Sequence, residues 1–199
     1  MRKWRYIVPV VGGCLPLAAA GQGAAEKPAS RPNVLLIYAD DVGFGDLSCN
    51  GYGSVPTPHV ERLAREGIRF TNAHCAASTS TPARYSMLTG EFAWRRPGTG
   101  VARGDAAAII PASCYTMADL FRDCGYRTAV VGKWHLGLGP KGGTDFNNRI
   151  TPNAQSIGFD YEFIIPATVD RVPCVFVENG HVVGLDPNDP ITVNYDHKV

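Results

Sequence analysis

The sequence predicts an α/β fold in which a mainly parallel sheet is sandwiched by helices. Apolar runs with β-branched members alternate with stretches of helical period, and each run is apolar throughout, which is typical of strands buried on both faces. The chain has 199 residues, of which 45% are hydrophobic and 19% charged, so one substantial core can form. Strands and helices that alternate in this way favour a parallel sheet covered on both faces.

Caps and turn residues set the expected bounds of the elements. Thr57 and Pro58 are typical of a helix start, and Thr116 with Asp119 resembles a capping box. Asn179-Gly180 is typical of a two-residue hairpin turn. We expect strands at 34–38, 68–70 and 128–131, helices at 57–67, 80–90 and 116–125, and a hairpin with arms at 174–178 and 181–183.

Residues 1–20 have the pattern of a signal peptide, with a basic start followed by an apolar run. The run is shorter than the about 20 residues that a membrane span needs. We therefore expect an exported protein, periplasmic or extracellular, without a transmembrane segment after cleavage, in which residues 21–30 form a flexible lead. An uncleaved anchor and a lipoprotein cleavage box that ends at Cys14 are the alternatives.

The charge balance argues against nucleic acid as a partner. The formal net charge is +1 at pH 7, and no long block of one sign is present. An anionic ligand would therefore have to be bound by local groups.

Residues 80–90 are expected to form a loop that turns into a short helix ended by Gly90. Ser80 would lie at or near the helix start, where unpaired backbone N–H groups and the helix dipole favour an anion. Arg84 would lie one turn later on the same face and could reach back toward Ser80. An isolated Ser-x-Pro-x-Arg is more often a helix cap with a solvated arginine, so the other motifs decide its meaning.

Two carboxylates end the first predicted strand. Gly43 and Gly45 let the chain turn after Asp40 and Asp41, so both side chains can converge at the carboxyl edge of the sheet, where open α/β sheets bind ligands. Oxygen ligands without neighbouring histidine or cysteine favour Ca²⁺ or Mg²⁺ over Zn²⁺. A bare Asp-Asp pair by itself would more often be a solvated turn.

Lys133 and His135 follow the strand predicted at 128–131. Alternate residues of an extended segment point the same way, so both side chains can face one site. Lys133 offers a positive charge, and His135 offers a group that transfers protons. Trp134 is expected in the core.

Four segments in register make the sequence resemble the sulfatase family of the alkaline phosphatase superfamily. They are the Ser-x-Pro-x-Arg segment at 80–90, the segment at 32–46, the helix start at 57–59 and the Gly-Lys-Trp-His-Leu-Gly segment at 132–137. The resemblance runs from about Arg31 to at least Asn179 and implies an alkaline phosphatase- or sulfatase-like fold.

The resemblance implies hydrolysis of sulfate esters through formylglycine, made from Ser80 by a maturase. It also implies that Asp40, Asp41 and the converted Ser80 bind a divalent cation, usually Ca²⁺, with Mg²⁺ as the alternative. The substrate would be a sulfated small molecule or glycan.

Further site residues come from the same resemblance. It implies that Arg84, Lys133 and His135 contact the nucleophile or the sulfate, and that Thr168 places a hydroxyl near the formylglycine. A serine at the converted position is similar to bacterial members whose maturase is an oxygen-independent radical enzyme.

The resemblance implies that residues 31–199 are the N-terminal part of a catalytic domain, truncated before the remaining cation ligands and catalytic residues. Two other hypotheses stay open. One is a phosphoesterase or phosphonate hydrolase of the same superfamily, which would need clustered Asp and His ligands. The other is a sulfatase remnant without enzymatic activity.

Overall fold

The computed structural model describes residues 31–51 and 55–194, so the predicted signal peptide and flexible lead lie outside the described residues. The chain divides into two compact units, Met1–Ala39 and Asp40–Val199. The described part of the first unit, residues 31–39, contains neither helix nor strand.

The strand predicted at 34–38 is therefore wrong. Val34, Leu35, Leu36 and Ile37 are between 55% and 84% exposed. An apolar run favours a strand, but a strand forms only where a neighbour supplies hydrogen bonds to its backbone. No ladder of the described sheet includes this segment.

Three α-helices lie in the described part of the second unit: α1 at Pro58–Glu66, α2 at Ser80–Thr89 and α3 at Met117–Asp123. All three were predicted within a few residues. The capping box of α3 is formed as expected, because the Thr116 side chain accepts from the Asp119 N–H and the Asp119 carboxylate accepts from the Thr116 N–H. Helix α2 ends at Gly90, whose φ of +70° suits a residue without a side chain.

The sheet of the described residues has four strands in the order β1-β2-β3-β4: β1 at Ala129–Lys133, β2 at Tyr161–Ile165, β3 at Val177–Glu178 and β4 at His181–Val182. Strands β1 and β2 are parallel, whereas the other two pairings are antiparallel. The α/β class is confirmed, and the described sheet is mixed. The expected hairpin is present, with Asn179 and Gly180 at φ of +47° and +82° in its turn.

Two further differences concern strands. The segment 68–70 is not a strand, and β2 was not predicted. Strand β2 carries the charged Glu162 as the second residue of an otherwise apolar and aromatic run, which obscures the strand pattern. Glu162 is nevertheless fully buried, because Asn153 Nδ2 and the Ala154 N–H donate to its carboxylate at 3.0 and 2.8 Å.

One apolar cluster forms the core of the second unit. It joins the inner face of α2 to the ends of β1 and β2 and to the segment after β1. Trp134 belongs to this cluster, as the sequence predicted. The cluster includes Tyr85, Leu88, Trp134, Leu136, Leu138, Phe146, Ile150 and Ile164. Within residues 31–51 and 55–194, no helix is long and apolar enough to cross a membrane.

Candidate active site

The candidate site lies where the first turn of α2 meets the end of β1. Ser80 is the first residue of α2, directly after the N-cap Thr79, as the sequence predicted. Arg84 follows one turn later, and its Nε–H donates to Ser80 Oγ at 3.0 Å. The i, i+4 spacing on one helix face brings the guanidinium back to the hydroxyl.

Arg84 also connects the helix to β1 and to Asp40. One Nη1–H donates to the Lys133 carbonyl oxygen at 2.8 Å, and Nη2 lies 3.5 Å from Asp40 Oδ1. The side chain of Arg84 is only 10% exposed, so these contacts are largely shielded from water. A buried guanidinium with several fixed acceptors holds its geometry better than a solvated arginine.

Lys133 points into the same site from the last position of β1. Its ammonium donates to Asp40 Oδ2 at 2.5 Å, and its side chain is 19% exposed. Both oxygens of Asp40 therefore face cationic side chains. This hydrogen bond holds the pKa of Asp40 below its ordinary value, with the charges of Lys133 and Arg84 in the same direction and partial burial opposing them.

His135 is 2% exposed and presents its two ring nitrogens to different partners. Nε2 lies 3.0 Å from the Ala102 carbonyl oxygen, and Nδ1 lies 3.0 Å from Ser80 Oγ. The Ala102 carbonyl oxygen only accepts, and it lies closer to Nε2 than Arg171 Nη1 does, at 3.0 against 3.3 Å. We therefore assign the hydrogen to Nε2, and Nδ1 of the neutral ring then accepts from the Ser80 hydroxyl. Ser80 Oγ can thus receive a hydrogen bond from Arg84 while it donates one to His135.

The electrostatic surroundings favour a neutral His135. Burial lowers the pKa of this imidazole, and the charges of Lys133, Arg171 and Arg84 lower it further, against the opposing hydrogen bond to Ala102. An uncharged ring with a free lone pair at Nδ1 is the form that accepts a proton from a hydroxyl.

The structure brings together five of the seven predicted site residues: Asp40, Ser80, Arg84, Lys133 and His135. Lys133 and His135 do face one site, but His135 is not extended, because its φ is +57°. Asp41 is exposed at φ +54°, and among the described residues no hydrogen bond or ion pair joins it to the five.

Thr168 is likewise not joined to the five by a hydrogen bond within residues 31–51 and 55–194. Its hydroxyl oxygen is shielded from solvent, and a hydrogen bond from its side chain holds the pKa of Asp170 below its ordinary value. It lies in the turn after β2, where its carbonyl oxygen accepts from the Arg171 N–H at 3.2 Å.

Two residues beside His135 were missed by sequence reasoning. Arg171 Nη1 lies 3.3 Å from His135 Nε2 and donates to the Ala102 carbonyl oxygen. The hydroxyl of Thr81 donates to the His135 carbonyl oxygen at 2.8 Å. Neither position carries a spacing signal, since these contacts join residues 36 and 54 positions apart.

The donor chemistry of Asp40, Asp41 and Ser80 suits a hard divalent cation, because all three offer oxygen. Both carboxylate oxygens of Asp40 lie in the candidate site, where Oδ1 pairs with Arg84 and Oδ2 with Lys133. In the part of the chain that the structure describes, no three His, Cys, Asp or Glu side chains form a metal-binding group. By their chemistry, Asp40, Asp41 and Ser80 therefore offer oxygen donors for only part of a coordination shell.

The comparison with protein families agrees with the fold. A family model described as Sulfatase matches residues 32–171. The chain belongs to the sulfatase family.

Relatives of this family include an N-acetylgalactosamine-6-O-sulfatase of Bacteroides thetaiotaomicron, which is 59% identical over 202 residues and matches 100% of this chain. A steryl-sulfatase of Mus musculus is 42% identical over 75% of the chain, and arylsulfatase A of Homo sapiens is 39% identical over 80%. The aligned regions make up 40%, 24% and 30% of these relatives, so the chain spans less than half of their length.

Solved structures show the same fold. One comes from work on the metabolism of multiple glycosaminoglycans by Bacteroides thetaiotaomicron. It has a TM-score of 0.83 and 68% identity, and the aligned region makes up 85% of this chain and 35% of that protein. A crystal structure of Ps i-CgsB has a TM-score of 0.58 and 27% identity, and covers 67% and 28%. The described residues thus adopt a sulfatase fold.

Proposed function

We propose that this chain supplies the nucleophile-bearing part of an exported sulfatase, which hydrolyses sulfate esters through a formylglycine made from Ser80. The observation that carries the proposal is the environment of Ser80 Oγ. It accepts from Arg84 Nε at 3.0 Å and lies 3.0 Å from the bare Nδ1 of His135, at the N-terminus of α2. A nucleophile is activated by a neighbouring base, here His135, and its negative charge is stabilised by a positive group, here Arg84.

The formylglycine hydrate would supply one hydroxyl to attack the sulfur and a second to release sulfate. His135 would hold the proton of that hydroxyl at Nδ1, because its Nε2–H is engaged by Ala102. Arg84 would keep the nucleophile oriented, and its charge would stabilise negative charge as it develops. Thr168 would offer its shielded hydroxyl to the group at position 80.

Sulfate would be bound by positive charge at the end of β1. Lys133 would make this contact, and what supports this role is that its ammonium reaches the site from a mostly buried side chain. Asp40, Asp41 and Ser80 would hold a divalent cation, Ca²⁺ or alternatively Mg²⁺, which would polarise a sulfate oxygen.

The substrate class follows from the relatives. One relative is named an N-acetylgalactosamine-6-O-sulfatase, and one solved structure comes from a study of glycosaminoglycan metabolism. We propose a sulfated glycan or a small sulfate ester as substrate, and a serine-accepting maturase as the partner that modifies Ser80.

The test is the mass of the tryptic peptide that spans residues 70–84, in the complete sulfatase to which we propose this chain belongs, made with and without a serine-accepting maturase. Conversion removes two hydrogen atoms from Ser80, and the converted sample should hydrolyse 4-nitrophenyl sulfate. Ser80→Ala, made in parallel, is the control for contaminating activity. Hydrolysis of 4-nitrophenyl phosphate instead of the sulfate would favour the phosphoesterase hypothesis, and conversion without hydrolysis of either ester would favour a remnant without activity.

A further inference from the structure

Thr81 follows Ser80 on α2, but its side chain points into the protein. It is 0% exposed. Its hydroxyl donates to the His135 carbonyl oxygen at 2.8 Å and accepts from the Ala102 N–H at 3.0 Å. One buried hydroxyl therefore joins two chain segments that lie far from it in sequence.

Both segments hold the imidazole of His135. The Ala102 carbonyl oxygen accepts from Nε2–H of the ring, while the backbone of His135 itself has a φ of +57°. The left-handed region is unfavourable for a residue with a side chain, so this conformation needs support from its surroundings. That support comes from the Pro166 carbonyl oxygen, which accepts from the His135 N–H at 3.0 Å, and from Thr81.

We propose that Thr81 is a positioning residue, which holds His135 and Ala102 so that Nδ1 of the histidine faces the group at position 80. The inference rests on the proposed function in one respect, namely that His135 acts on that group. Thr81 touches neither the substrate nor the reacting atoms, and acts through the two peptide groups that it bonds.

The hydroxyl, rather than the volume of the side chain, carries this role. A valine would fill the same space but would leave the His135 carbonyl oxygen and the Ala102 N–H without their partner. Buried polar groups do not stay unpaired at low cost, so the two segments would shift until water or another group satisfied them. Such a shift turns the ring of His135 away from Ser80.

The first test is long-range ¹H–¹⁵N NMR of the imidazole rings in this chain, with the His135 signals assigned from a His135→Gln spectrum. We expect the parent and Thr81→Ser to show one bare and one protonated ring nitrogen, in the tautomer that the structure indicates. Thr81→Val should show the two shifts moving toward each other, because the ring then exchanges between tautomers. Unchanged His135 shifts in Thr81→Val would overturn the proposal.

Thr128→Val is the matched control. Thr128 is also buried, and its hydroxyl also joins two backbone groups, since it donates to the Gly158 carbonyl oxygen at 2.7 Å and accepts from the Asp160 N–H at 3.0 Å. Thr128 directly precedes β1, whereas Lys133 ends that strand at the site. This variant should lose stability but leave the His135 signals unchanged; signals that move equally in both variants would mean that Thr81 is only a core residue. If Thr81→Val does not fold, Thr81→Ala replaces it.

The second test is kinetic and uses the mature protein, by which we mean the complete sulfatase with position 80 converted. Rates are normalised to the formylglycine content of the 70–84 peptide. Thr81→Val should lower kcat by about 10- to 100-fold with little change in KM, as expected for a misplaced proton acceptor. Thr81→Ser should restore most of the rate. A Thr81→Val enzyme with parental kcat would contradict the proposal. If the parent itself hydrolyses no sulfate ester, the proposed function fails, while the NMR comparison still decides the role of Thr81.

Discussion

The guanidinium of Arg84 and the hydroxyl of Ser80 lie one helical turn apart on α2 and form a hydrogen bond of 3.0 Å. The same guanidinium reaches the Lys133 carbonyl oxygen and Asp40. One side chain thus fixes the position of Ser80 relative to both the end of β1 and Asp40. Because Arg84 contacts Ser80, Lys133 and Asp40, single substitutions at these positions can separate their roles.

Replacement of Ser80 by alanine should abolish sulfate ester hydrolysis in the mature protein and leave the fold intact. Ser80 is not the N-cap of α2, and the substitution removes a half-buried hydroxyl whose hydrogen bonds contribute about 1 kcal/mol. The assay combines 4-nitrophenyl sulfate hydrolysis with circular dichroism. Ser80→Cys should remain active where a maturase accepts cysteine. A fully converted but inactive Ser80→Cys protein would contradict the assignment.

Arg84→Lys should reduce kcat/KM by at least about 100-fold, although the charge is kept. An ammonium cannot donate to Ser80 Oγ, the Lys133 carbonyl and Asp40 in the fixed planar pattern of the guanidinium. Arg103→Lys is the matched control, because Arg103 pairs with Asp105 on the surface. Equal rates for both variants would show that only the positive charge of Arg84 matters.

The double substitution Asp40→Asn with Asp41→Asn should lower catalysis by orders of magnitude in the mature protein, but should change the Ca²⁺ affinity of this 199-residue chain little. Calcium takes about six to eight oxygen ligands, and these two residues with Ser80 supply only part of such a shell. Calorimetry measures the affinity. Micromolar or tighter binding to the chain that vanishes in the double variant would show that the cation site is already complete.

Glu162 should make stability depend on pH. Burial raises its pKa above the ordinary 4.5, despite the N–H donors around the carboxylate. The native state then keeps the proton at pH values where the unfolded chain has lost it, so the native state loses stability as pH rises from 4.5 through the raised pKa.

Glu162→Gln lacks this titration and serves as the reference. The unfolding free energy of the parent minus that of the variant should therefore fall between pH 4 and neutrality, in urea unfolding curves measured at several pH values. A difference that grows with pH would mean that the hydrogen bonds from Asn153 and Ala154 outweigh burial.

Local signals predicted the elements that depend on neighbouring residues. The capping box at Thr116, the hairpin turn at Asn179-Gly180 and the end of α2 at Gly90 all formed as expected, since each is set by backbone geometry within a few residues. Strands were predicted less well. The apolar segment 34–38 has no ladder partner in the described sheet, whereas β2 is a strand despite its buried Glu162, because pairing with β1 decides it.

The sequence by itself determined that Ser80 begins a helix and that Arg84 reaches back to it, because a separation of four residues places both on one face. The motifs also determined the sulfatase family. Only the tertiary structure decided that His135 takes a left-handed conformation, that Ala102 sets its tautomer and that Thr81 supports both. These contacts join residues 21 to 54 positions apart, so they depend on how the helix, the strand and the loops pack, which local spacing does not encode.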